Sequence, residues 1–241
     1  MANEPLGAPS RPRSRTSDAA ARIKDLVLAR RLRPGDALPT ETELTETLGV
    51  SRSSVREAVR TLTALGIVDV RHGHGTFVGE MSLDALVETL AFRGALQPGD
   101  DLRALREVVE VREALDAAMA ERLAEAARGT HDTGLWSLVA TMEEAGCGGE
   151  VFAAADRAFH TALHARTGNS LVGPLAGAFW DVHTTVVAHL GVHLPDDLAQ
   201  TARAHREMLA AVEAGDAPGY REAVRRHYAP LVGALDGARV V

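Results

Sequence analysis

Cysteine is almost missing: Cys147 stands alone in 241 residues. One thiol cannot close an internal disulfide or build a thiolate cluster, so a bound metal would have to be held by His, Asp or Glu. The thiol itself reads as a small helix-surface or core residue. Long apolar runs are missing too. None approaches the roughly 20 residues that span a bilayer, and the first residues hold no apolar stretch of the secretory kind, so a cytoplasmic protein with no membrane partner is expected. A global excess of positive charge is also absent: the formal net charge of -7 argues against a protein that coats nucleic acid. What is present, 46% apolar and 24% charged residues, is enough to bury a substantial core in one large or two modest domains.

The charge is unevenly distributed. Residues 1–78 carry 12 Lys and Arg against 9 Asp and Glu, a balance of +3, and residues 79–241 carry 14 against 24, a balance of -10. A basic front and an acidic rear suit a polyanion-binding head on a body with another task. Residues 1–15, rich in Pro and Arg, predict a disordered arm, either a solvated tail or a set of phosphate contacts. Residues 16–79 then read as one small domain. Ala20, Ile23 and Val27 recur at helical spacing and Arg33-Pro34-Gly35 stops them. Thr40 to Glu43 has capping-box form ahead of Leu44 and Leu48, with Gly49 as the stop. Ser51 caps a third helix with inward Val55, Ala58, Val59 and Leu62. Ile67–Arg71 and Thr76–Val78 alternate as strands do, and the glycines of His72-Gly73-His74-Gly75 permit a sharp hairpin. That order is a winged helix-turn-helix. Residues 80–241 predict an all-helical antiparallel bundle of six or seven helices, near 82–93, 102–127, 131–144, 149–167, 170–190, 195–214 and 217–235. The fold class is therefore mainly α.

On the third helix Arg52 and Arg56 lie one turn apart on the face opposite the apolar stripe, where their forks can enter a major groove and meet guanine O6 and N7. Ser53 and Ser54 occupy the first turn, where short hydroxyls and free N–H groups suit phosphate or base edges. His72, Gly73 and His74 form a wing tip that could reach the minor groove. Arg60 and Arg71 read either as phosphate contacts or as plain solvated charges.

Pro34-Gly35-Asp36-Ala37-Leu38-Pro39-Thr40-Glu41, Val50-Ser51-Arg52-Ser53-Ser54-Val55-Arg56-Glu57-Ala58 and Gly73-His74-Gly75-Thr76-Phe77-Val78 together resemble the DNA-binding domain of the GntR family. The resemblance covers about residues 17–78. It implies that Arg52 and Arg56 read bases, that Ser53 and Ser54 touch phosphate or bases, and that His72 and Gly73 are wing contacts. Members often carry an arginine where this chain has Thr42, so one family contact is altered. The resemblance also implies a homodimer on a two-fold, palindromic operator, since a single head contacts too little double-stranded DNA for useful specificity.

In the rear half, Asp156 and His160 stand at i, i+4, placing a carboxylate and an imidazole on one helix face beside Phe152, Phe159 and Leu163. His205 and His227 face inward by periodicity on the last two helices. One Asp and three His suit zinc, nickel or manganese, zinc first, with positions open for water or an effector carboxylate; histidines that only hydrogen-bond within a core fit the same spacing. The Asp-x-x-x-His, later His, final His pattern resembles the FCD ligand-binding domain of the family's FadR-type subgroup, over about residues 83–235, and implies the metal-binding reading. Arg112 resembles the arginine that reaches the pocket in that domain, where its fork would hold an organic acid; the other reading is a surface ion pair with Asp116. Asn169 matches a family position and reads as a helix cap or an effector contact. Among the remaining histidines, His164, His189 and His193 read as surface or core residues. His183 is the reserve effector contact, because nearby Trp180 suggests a partly buried face.

Two other functions compete. A metal-dependent hydrolase would need its His-Asp pair inside a helix, whereas His131-Asp132 lies in a glycine-flanked joint with no second carboxylate poised as a base and no phosphate-cradling loop. A DNA-binding protein whose rear domain only dimerises would leave the His/Asp set without a task. The reading favoured is a transcriptional regulator, a repressor released by a small organic acid.

Overall fold

The computed structural model describes residues 15–96, 101–144, 149–190 and 198–237. The expected N-terminal arm up to residue 14, Cys147 and His193 lie outside the described residues. The chain divides into two compact units between Ala85 and Leu86.

The first unit contains α1 (Arg15–Ala29), α2 (Glu41–Leu48), α3 (Arg52–Ala64), β1 (Val68–Arg71) and β2 (Gly75–Val78). The capping box forms at α2: Thr40 Oγ accepts from the Glu43 backbone N–H at 3.3 Å and Glu43 accepts from the Thr40 backbone N–H at 2.8 Å. Gly49 ends α2 in the left-handed conformation, φ 64°, and Ser51 restarts the chain as the cap of α3, which makes the turn between the two helices tight. Ile23, Leu44, Val55, Ala58, Leu62, Val68 and Val78 share one core. β1 and β2 pair antiparallel, with Val68 opposite Val78 and Arg71 opposite Gly75. The sequence reading left out a third contribution. The segment around Ala37 bridges Phe77, and Leu38 N–H donates to the Thr76 carbonyl at 2.8 Å, so the linker between α1 and α2 covers one edge of the wing.

The second unit is all helical: α4 (Asp84–Ala95), which begins at the boundary, α5 (Asp101–Ala118), α6 (Ala120–Ala127), α7 (Thr133–Glu144), α8 (Gly149–Ala165), α9 (Val172–Leu190), α10 (Leu198–Ala214) and α11 (Ala217–Gly237). The expected single helix over 102–127 is broken at Met119. There the N–H bonds three residues back to the Asp116 carbonyl at 3.2 Å, and the 3₁₀-type step turns α6 away from α5. α5 packs on α9 and α11, α8 lies between α7 and α9, and α10 lies against α11. Phe159, Leu163, Met208, Val212, Tyr220 and Val224 are fully buried among them, each apolar side chain contributing about 1.5–3 kcal/mol by leaving water. Pro230 sits inside α11, one turn beyond His227, where its missing N–H leaves the Arg226 carbonyl without a helical donor. No described helix is long and apolar enough to cross a membrane.

Candidate DNA-reading head and metal centre

On α3 the buried stripe of Val55, Ala58, Val59 and Leu62 turns the opposite face outward, and Arg52, Ser53 and Arg56 on it are exposed. Arg56 is not idle: its Nε donates to Glu41 Oε2 on α2 at 2.9 Å, a contact that sequence spacing did not reveal. Ser51 Oγ lies 2.9 Å from the hydroxyls of both Ser53 and Ser54, so the three serines form one polar cluster at the helix N-terminus. His72 and Gly73 stand exposed at the wing tip, with Gly73 at φ 77°, a conformation that favours glycine. His74 Nδ1 lies 3.0 Å from the His72 carbonyl. Arg60 and Arg71 are each engaged by a neighbouring carboxylate, Glu57 at 3.4 Å and Asp69 at 2.8 Å.

In the second unit the four expected ligands meet. Asp156, His160, His205 and His227 each offer one ligand atom, all within 4.8 Å of one another. α8 brings Asp156 and His160 on one face, α10 brings His205 and α11 His227. The hydrogen bonding of the rings favours a cation. His205 Nδ1 lies 2.8 Å from the Thr201 carbonyl, which can only accept, so Nδ1 carries the hydrogen. His205 Nε2 then faces Asp156 Oδ1 at 2.7 Å, a contact between two acceptors unless a proton or a metal ion joins them. His160 Nε2 stands 3.3 Å from the same oxygen without a hydrogen bond, and His227 Nδ1 is likewise buried without a partner. Asp156 Oδ2 accepts from Trp180 Nε1 at 2.7 Å, the type of outer hydrogen bond that steadies a ligating carboxylate. The donor set therefore fits a divalent ion of the zinc, nickel or manganese type.

The charges in this site lean on one another. Burial opposes the ionised form of Asp156, but His160 and His205 outweigh it and hold the carboxyl well below its usual range. Burial likewise opposes a charged His160, yet Asp116 and Asp156 on either side raise it to about 9. Burial, with His205 and His160 beside it, drives His227 the other way, well below the ordinary imidazole value.

A cavity of about 180 Å³ opens beside the ligands, with Arg112, Asp156, Trp180, His183, His227 and Tyr228 on its wall. Arg112 is 5% exposed and donates to His183 Nδ1 at 2.8 Å. A guanidinium cannot accept, so His183 is neutral with its hydrogen on Nε2. Burial and the neighbouring Arg112 push its pKa down to about 3, and its Nε2 has no partner. A buried cation and an N–H donor without a partner thus stand on the wall of the same cavity as Asp156 and His227, chemistry able to hold a small carboxylate. A mostly apolar hollow of about 130 Å³ between α4, α5 and α9 has Leu90, Val108 and Phe179 on its wall, with Arg93 and Glu107 as its charged residues.

The other expectations fare differently. Asn169 is exposed and does not line the cavity; its Oδ1 accepts from Leu171 N–H at 3.0 Å. At the surface of the loop before α9, Asn169 thus makes the capping contact that was the alternative to an effector contact. The surface ion pair between Arg112 and Asp116 is corrected, since both are buried. Sequence reasoning missed Asp116, His164 and Tyr228, which form a buried hydrogen-bonded group behind His160. The signal available was the continuation of the Asp156, His160 stripe by one turn to His164. His131-Asp132 sits at the start of α7, where Asp132 Oδ1 caps Gly134 and Leu135. That is a structural use of the pair.

The comparisons with known proteins agree with this division. Residues 15–78 match the family described as "Bacterial regulatory proteins, gntR family", and residues 107–230 match "FCD domain". The chain is 30% identical over 229 residues to the "Probable D-xylose utilization operon transcriptional repressor" of Paenarthrobacter nicotinovorans, covering 93% of this chain and 91% of that protein. It is 29% identical over 233 residues to the "Uxu operon transcriptional regulator" of Escherichia coli K12, covering 87% and 82%. Among solved structures, "Streptococcus agalactiae GntR" superposes with a TM-score of 0.68 at 28% identity, over 90% of this chain and 98% of that one. These relatives are regulators and not enzymes. The chain belongs to the GntR family of bacterial transcriptional regulators, with an FCD domain behind its DNA-binding head.

Proposed function

We propose that this regulator binds a palindromic operator as a homodimer and is released from it by a small organic acid that docks beside a divalent metal in the FCD domain. The observation that carries the reading is the cavity itself: Arg112, His183, Asp156 and His227 line one small space, and His160 and His205 converge on the last two from behind the wall. The metal, zinc first, would be held by Asp156, His160, His205 and His227, and it would supply a Lewis-acidic position for an effector oxygen. Arg112 and His183 would grip the carboxylate from the protein side. In the head, Arg52 and Arg56 would read bases, Ser53 and Ser54 would meet phosphate or base edges, and His72 and Gly73 would follow the minor groove. An acid that binds one arrangement of the two heads more tightly than the other shifts operator affinity by that difference. The relative named as a repressor supports repression as the default state.

The test is elemental analysis of the purified protein, joined to thermal melting against mono- and dicarboxylic acids. About one divalent ion per chain is expected, together with an acid that raises the melting temperature. Asp156→Ala and His227→Ala should lose the ion, and Arg112→Ala should keep the ion and lose the acid response. Wild-type protein free of metal and unresponsive to every acid would leave the head its role and remove the sensor reading.

A further inference from the structure

Behind the converging ligands lies a second buried polar group that does not face the cavity's cation site directly. Asp116 on α5 is 2% exposed, yet its carboxylate has three partners, two in hydrogen-bond contact and one, His160, at ion-pair distance. Tyr228 of α11 gives its hydroxyl hydrogen to Oδ2 at 2.7 Å, His164 of α8 places Nε2 2.5 Å from Oδ1, and His160 places Nδ1 3.3 Å from Oδ2. A buried carboxylate without such partners would be severely destabilising, so the arrangement is a built one.

His160 is the link between the two groups. Its Nε2 faces Asp156 and its Nδ1 faces Asp116, and the two nitrogens of an imidazole point away from each other. An ion held by Nε2 therefore lies on the far side of the ring from Asp116, which excludes Asp116 as a ligand of the same ion. A separate ion among Asp116, His160 and His164 would have to strip the last hydrogen from a ring already committed through Nε2. Tyr228, His164 and His160 account for the carboxylate without that.

We propose that Asp116 is the positioning carboxylate of the metal site. It accepts the Nδ1 hydrogen of His160, so that the ring turns its Nε2 lone pair to the ion beside Asp156 and is held there as a better base. Through the Tyr228 hydroxyl the same carboxylate reaches the cavity wall. The Tyr228 ring lies 5.4 Å from the Arg112 guanidinium carbon and 4.6 Å from the His227 ring, so Asp116 joins the metal ligands and the anion-binding side into one rigid unit. This inference rests on the metal reading above.

The experiment is a cobalt(II) titration of chelator-stripped full-length protein against a competing chelator, for wild type, Asp116→Asn and Tyr228→Phe, with circular dichroism and melting of each metal-free form. Wild type should bind about one cobalt per chain. Asp116→Asn should bind it about 10–100-fold more weakly while the fold is retained, and Tyr228→Phe should show a smaller loss in the same direction. In zinc-loaded wild type, proton–nitrogen spectra of the imidazoles should show His160 bound through Nε2 with a protonated, exchange-protected Nδ1. A folded Asp116→Asn protein with wild-type cobalt affinity overturns the proposal alone, leaving Asp116 a structural tie between helices. Wild type that binds no cobalt overturns the metal reading and this one together. Should Asp116→Asn fail to fold, the zinc-loaded spectrum decides: a metal-bound Nδ1 on His160 overturns the proposal.

Discussion

The proposed reading of DNA and of an acid rests on individual side chains, and each has a consequence that can be measured. Arg52 is an exposed arginine on the outward face of α3, and Arg52→Ala should cost about 1–3 kcal/mol on a selected operator and relax discrimination at one base pair per half-site. Equal loss on random DNA would contradict base reading and point to a phosphate contact. His183 answers to pH. Its pKa falls from 6.5 in an open environment to about 3 in the folded protein, because burial and Arg112 disfavour its charge. A depressed imidazole means that the unfolded chain takes up a proton below about pH 6.5 that the folded chain refuses. Stability therefore falls as the pH drops from about 6.5 toward about 3, and no contribution of this kind arises above that range. His183→Gln, compared with wild type at matched metal content, should flatten the decline between pH 7 and 5, by at most about 1.4 kcal/mol per pH unit for one proton. Parallel declines in the two proteins would show that folded His183 takes up its proton at the same pH as the unfolded chain does. Asp156 and His160 were readable as a pair because they sit one helical turn apart. Asp116 was not, because its partners His164 and Tyr228 lie 48 and 112 residues away, and nothing local to Asp116 distinguishes it from a helix-surface carboxylate.

Helices and strands were mostly readable, and the exceptions have physical causes. Caps and glycines announced α2, α3 and the hairpin, since a capping box or a left-handed glycine is a local device that works with its immediate neighbours. The break at Met119 was not announced: neither Gly nor Pro stands there, and Asp116 just before it is drawn into the core by His160, His164 and Tyr228. The bridge from Ala37 to the wing was equally hidden, since it joins segments forty residues apart. The wing's return depends on a close approach of backbones. At Gly79 an added Cβ would stand 2.2 Å from the Gly66 carbonyl oxygen and 3.1 Å from the Ile67 carbonyl carbon, and the Gly79 N–H donates to the Ile67 carbonyl at 2.9 Å. These are backbone atoms of the Gly66–Ile67 segment, which cannot swing aside as a flexible side chain would. Gly79→Ala should therefore destabilise the head by about 1–3 kcal/mol, the usual range for overpacking, seen as a lower melting temperature with unchanged metal content. An unchanged melting temperature would mean that the wing root can open without cost.

For the molecule as a whole, composition and order along the chain already separated a basic front from an acidic rear, and a helix-turn-helix with a wing from an all-helical bundle. They did so because burial periodicity, capping and net charge are properties of neighbouring residues, written locally and read locally. The same local signals placed Asp156 and His160 on one face and turned His205 and His227 inward. What they could not supply was the meeting of α8, α10 and α11 that puts one atom of each of those four side chains within 4.8 Å of the others, the pairing of Arg112 with His183 instead of Asp116, or the place of Asn169 at the surface. Those depend on how helices pack across long stretches of chain, where the partner of a polar side chain is set by which core it is forced to enter. Helix formation, strand alternation and the charge of each half were thus properties of the sequence alone. The choice of partner for each buried charge belonged to the packed fold, because a charge removed from water must take whatever donor or acceptor the surrounding helices bring to it.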